Sequence, residues 1–96
     1  MMFLIHWLAA AHAQMQDLVS RHPLMLTDFI YSLRELTTLL NREADTWGES
    51  RSNGLRLGYV GVLQVLIWID EEDEDSDEDR VVKIVRVKLA RHHPPG

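Results

Sequence analysis

Hydrophobic positions change their spacing several times along the chain, and each change marks an element. Phe3, Leu4, Ile5 and Trp7 crowd together at the start and predict a short buried strand. From residue 9 to about residue 20, Ala11, Met15, Leu18 and Val19 recur at helical spacing, which predicts an amphipathic helix. Arg21-His22-Pro23 ends it. Pro23 suits the first turn of a second helix, where its missing N–H costs little, and Leu26, Phe29, Ile30, Leu33, Leu36 and Leu40 form its apolar stripe. The two helices are expected to pack as a hairpin.

Residues 41–53 are mostly polar around Trp47 and Gly48, a connector that ends in the turn signal Asn53-Gly54. Beyond it the period becomes two. In LRLGYV, strand parity groups Leu55, Leu57 and Tyr59 on a core face and leaves Arg56 outside. In GVLQVLIWID, Leu63, Val65, Ile67 and Ile69 turn toward the helices, with Gln64, Leu66 and Trp68 opposite. In RVVKIVRVKL, Val85, Val87 and Leu89 share one face, while Ile84, Arg86 and Lys88 share the other. Lys83 falls on the apolar parity, which predicts a strand end or a bulge near it. The outward face should then gather Arg56, Trp68, Arg86 and Lys88.

The order that results is an α+β domain: a short N-terminal strand, a two-helix hairpin and a three-stranded antiparallel meander (β-α-α-β-β-β). With 96 residues, 46% of them hydrophobic, the chain supports a single domain over residues 1–96 with a modest core. The last two strands are joined by EEDEDSDED, residues 71–79, a long acidic hairpin loop that cannot bury itself and is expected to be disordered.

That run also distorts the charge. Of fifteen acids, nine lie in residues 70–79; the remaining six face ten bases, so the chain outside the run carries +4 despite an overall charge of −5. Eight of the ten bases are arginine, the side chain suited to bidentate contact with phosphate or carboxylate. An anionic partner follows from this surplus.

Other chemistries find no support. There is no cysteine, hence no disulfide framework or thiol nucleophile, which fits a reducing compartment. Five histidines stand without HExxH or comparable spacing, the acidic run lacks the central glycine of an EF-hand loop, and no glycine-rich phosphate loop or serine elbow occurs. No metal or cofactor is therefore expected. No apolar stretch reaches the roughly 18 residues that span a bilayer. The start, MMFLIHWLAAAHA, has the small-residue end of a secretory leader, but no Lys or Arg precedes it and His6 interrupts it, so a buried strand is the preferred reading and a cytoplasmic location is expected.

The helical hairpin, the segment GESRSNGLRLGYVGVLQVLIWID and the closing RVVKIVRVKL together make the chain resemble the RelE/ParE superfamily of bacterial type II toxin–antitoxin toxins, over nearly its whole length. The resemblance implies a toxin held inactive by a cognate antitoxin that wraps around it. One branch of that family cleaves mRNA on the ribosome with arginines and lysines of the sheet face; the other poisons DNA gyrase. A non-enzymatic interaction module of the same fold is the third reading. An exposed β-edge would also allow a homodimer.

RNA cleavage without metal needs a 2′-hydroxyl deprotonated, a charged phosphorane stabilised and a leaving oxygen protonated. Arg56 and Arg86 are the candidates for stabilising phosphate charge, and His92 or His93 for acid or base. Trp68 is the candidate base-stacking platform, with Arg51, Lys88 and Arg91 in support of nucleic-acid binding. The family's tyrosine near the C-terminus has no counterpart in KLARHHPPG.

Overall fold

The computed structural model describes residues 3–69 and 80–90. Strand β1 (Phe3–Trp7) leads into helix α1 (Ala9–Arg21), and a 3-10 turn at Pro23–Met25 opens helix α2 (Leu26–Glu43). A two-residue strand β2 (Glu49–Ser50) then precedes β3 (Leu55–Val60), β4 (Leu63–Ile69) and β5 (Arg80–Leu89). The order is the expected β-α-α-β-β-β with β2 added at the edge. The five strands form one sheet in the order β1-β5-β4-β3-β2. The first pairs parallel to the fifth and the other pairs are antiparallel.

Both helices lie on one face of this sheet. Leu63, Val65, Ile67 and Ile69 of β4 and Val82, Ile84 and Val87 of β5 are buried there against Ala11, Met15, Phe29, Leu36 and Leu40. The β4 assignment thus agrees with its parity. α1 starts where β1 runs out: the Leu8 N–H still donates to Ile84 O at 3.1 Å, while Leu8 O already accepts from His12 N–H. Past that point β5 has lost its β1 neighbour, and the Gln14 side chain takes over by accepting the Val87 N–H at 2.9 Å. Buried backbone donors are satisfied by such substitutes where a ladder ends.

The α2 stripe is rotated from its expected position. Phe29, Leu36 and Leu40 are buried, but Leu26 and Ile30 are 46% and 47% exposed, and Ser32 is buried in their stead. The reason is a contact with the β3–β4 turn: Ser32 Oγ donates to Asp28 O at 2.7 Å and accepts the Val62 N–H at 3.0 Å. Gly61 in that turn has φ 55°, and a Cβ there would meet Ser32 Oγ. The two helices follow one another as expected. A groove of about 660 Å³ lies between them, lined by Trp7, His12, Met15, Val19, Leu33 and Thr37.

Candidate nucleic-acid interface

Among the described residues neither helix packs on the other face of the sheet, whose side chains are exposed or half-buried. Register assigns them. Pairing of His6 with Lys83, Lys83 with Trp68 and Trp68 with Leu55 makes one row across the sheet. Arg86, Leu66, Leu57 and Glu49 make the next, and Lys88, Gln64 and Tyr59 the third.

The β5 column of this grid depends on a bulge. Ile67 pairs with Ile84 and Leu66 with Arg86, so Val85 is an extra residue with no opposite number. Strict alternation would send Lys83 and Arg86 to opposite faces; the inserted Val85 brings them to the same one. Lys83, Arg86 and Lys88 then stand opposite every second residue of β4, a stride of about 7 Å. The expected bulge beside Lys83 is present, while the expected outward placement of Ile84 is overturned: it is 1% exposed, in the core.

Three cations in a straight line on a solvated surface are a fitting contact for successive phosphates of an extended strand. Beside them Trp68 presents a ring held in place from two sides. Its Nε1–H donates to Asn53 O at 2.9 Å, and the Lys83 ammonium sits 5.2 Å from the ring centroid. At the far corner Tyr59 is 52% exposed, and its hydroxyl accepts from Gln64 Nε2 at 3.0 Å. Aromatic faces interleaved with cations are what single-stranded nucleic acid needs, because every base offers a π-face and every nucleotide a charge.

Two expectations about β3 are corrected here. Tyr59 faces solvent, not the core, and Arg56 lies on the helix side of the sheet, in register with the buried Ile67. The cause is Trp47. Its ring lies on Gly58, where a Cβ would come within 2.6 Å of it, so β3 turns its glycine inward and its tyrosine outward. Arg56 then reaches the carbonyls that follow α2, donating from Nε to Trp47 O at 2.7 Å and from Nη2 to Gly48 O at 3.3 Å. A guanidinium committed to two main-chain carbonyls on the opposite face is removed from the phosphate-binding candidates.

The remaining predicted residues divide clearly. Arg86, Lys88 and Trp68 come together on the open face as expected. Arg51 lies beyond β2, with Nη2 3.6 Å from Glu49 Oε2, away from the cation row. His92, His93 and Arg91 lie outside the described residues, as does the acidic run. Sequence reading missed three members of the face: Lys83, hidden by the bulge; Tyr59, misassigned with β3; and His6, which pairs with Lys83 and is exposed. An isolated glycine inside LRLGYV was the available signal for Tyr59, since it marks a close approach on its own face.

Among the described residues no group of His, Cys, Asp or Glu has the arrangement to hold a metal ion, and no helix is long and apolar enough to cross a membrane. Searches against protein-family models, curated proteins and solved structures gave no match for the chain.

Proposed function

We propose that the chain is the toxin component of a type II toxin–antitoxin system and acts in the cytoplasm as a RelE-like, metal-independent mRNA endonuclease on the ribosome. The observation that carries this reading is the row Lys83, Arg86 and Lys88 beside Trp68 on a sheet face that no described residue packs over. Such a surface takes an extended single strand, by phosphate contact along β5 and base stacking on Trp68. Arg86, in the middle of the row, is positioned to stabilise the charge that develops on the scissile phosphate.

A cognate antitoxin fits the same chain from two directions. An acidic stretch complements the cation row, and apolar side chains fill the groove between α1 and α2 lined by Trp7, Met15, Val19 and Leu33. Binding of that kind would cover the sheet face and silence the enzyme.

The test is controlled expression in a bacterial host, reading growth and global mRNA integrity together, with Arg86→Ala alongside. The nuclease reading expects growth arrest with mRNA cut within the reading frame, and relief of both by Arg86→Ala. Arrest with intact mRNA and a DNA-damage response would transfer the reading to a gyrase poison. Normal growth would leave a non-enzymatic interaction module.

A further inference from the structure

Cleavage at a phosphate held by the cation row requires a group that removes the proton of the neighbouring 2′-hydroxyl, and neither guanidinium nor ammonium does so readily. Three histidines fall within the described residues. His12 lines the groove between the helices and His22 caps the end of α1, both on the covered side. His6 alone of these stands on the open face. It is exposed, it pairs in register with Lys83, and Arg86 is the next residue of β5 to emerge on that face.

Tyr59 is the other uncharged acid–base side chain on the face. It is two strands from the cation row, with Gln64 between them, so it lies farther from a phosphate at Arg86 than His6 does. β1 is an edge strand, and the residue opposite His6 in the ladder is Lys83 of β5, with Arg86 following it on the same face.

We propose that His6 is the catalytic base of this chain, acting on the 2′-hydroxyl of the nucleotide whose 3′-phosphate sits between Lys83 and Arg86. The proposal rests on the nuclease reading above. A ring nitrogen of His6 takes the hydroxyl proton, and the freed O2′ attacks phosphorus to form the P–O2′ bond. Lys83 and Arg86 hold the charge on the non-bridging oxygens. The P–O5′ bond breaks and O5′ takes a proton from water, leaving a 2′,3′-cyclic phosphate on one fragment and a 5′-hydroxyl on the other. Histidine is suited to the role because its type changes charge close to neutral pH.

The experiment is single-turnover cleavage of ribosome-bound mRNA by the full chain, comparing wild type, His6→Gln, His6→Ala and a His92→Gln/His93→Gln double variant, with RNA retention measured in parallel. The expected result is a loss of about 10²–10⁴-fold in the cleavage rate for both His6 variants. RNA retention stays unchanged. Because His6 is exposed on an edge strand, both variants fold, and circular dichroism verifies that. His6 variants that cleave at the wild-type rate would overturn the proposal while leaving the nuclease reading intact; so would loss of cleavage confined to the His92/His93 variant. A wild-type chain that cuts no RNA would overturn both.

Discussion

Lys83 and Arg86, three residues apart on β5, emerge from the same side of the sheet because Val85 is unpaired between them. With Val85 set aside, β5 alternates without fault: Val82 in, Lys83 out, Ile84 in, Arg86 out, Val87 in, Lys88 out. The bulge therefore does not create the basic row so much as reconcile it with one surplus residue. Deleting Val85 should leave a folded protein that still binds RNA, whereas deleting Val87 turns Lys88 inward and should abolish folding. Thermal melts and RNA retention of the two deletions check this; a ΔVal85 protein that folds yet binds no RNA would argue against the row as the contact surface.

If Lys83, Arg86 and Lys88 each neutralise one phosphate, each contributes one released counterion. Replacing any one by alanine should lower the slope of log affinity against log salt by about 0.7 for a single strand. Titrations of a labelled oligonucleotide across salt measure it directly. Equal slopes for wild type and all three variants would exclude phosphate contact along β5.

Arg56 should behave differently from Arg86. Its guanidinium ties the Trp47 and Gly48 carbonyls to β3, so Arg56→Ala should cost roughly 1–3 kcal/mol of stability. Its RNA affinity, measured well below the melting temperature, should match wild type. Unchanged stability with lost affinity would reverse this assignment.

Trp68→Ala should weaken single-stranded RNA binding by about 1–3 kcal/mol through lost stacking, and Trp68→Phe should recover most of it. The readout is affinity at fixed salt, since neither change alters a charge. A Phe variant as weak as the Ala variant would mean that the indole N–H to Asn53 O bond, and not the ring face, is what matters.

Gly61→Ala tests the clamp between α2 and the β3–β4 turn. The left-handed backbone alone costs about 1–2 kcal/mol for a residue with a Cβ, and the contact with Ser32 Oγ adds to it. In the background of Ser32→Gly the steric part should vanish, so the double-variant cycle gives a favourable coupling. Additive losses would show that the turn and the helix do not press on each other.

Helix α1 and strand β4 were legible in the chain because each carries a period matched to a single buried face, and α2 was legible as a helix although Ser32, held by the β3–β4 turn, displaces Leu26 and Ile30 from its buried stripe. β3 misled for a physical reason: its inner face is covered by Trp47, a side chain of the preceding connector, so glycine and arginine point inward where leucine and tyrosine were expected. Parity assumes that the core lies on the apolar side, and here the open side carries Leu55, Leu57 and Leu66 as well. β5 misled through one extra residue, although the misplaced Lys83 marked where to look. His6 looked like an interruption of an apolar run. Its place beside Lys83 depends on a parallel pairing between the first and fifth strands, a contact that no local window contains.

That pairing also sets a schedule. β5 follows every other strand in sequence and yet lies between β1 and β4 in the sheet, so Phe3 must wait for Arg80 before its ladder can form. While the polypeptide is still being synthesised, β1 has an empty edge and His6 has no cation beside it, because the residues that complete the row have not left the exit tunnel. Such long-range closure is intrinsically late. A translation product truncated before β5 would carry Trp68 and His6 without Lys83, Arg86 or Lys88, and so would lack the basic row altogether.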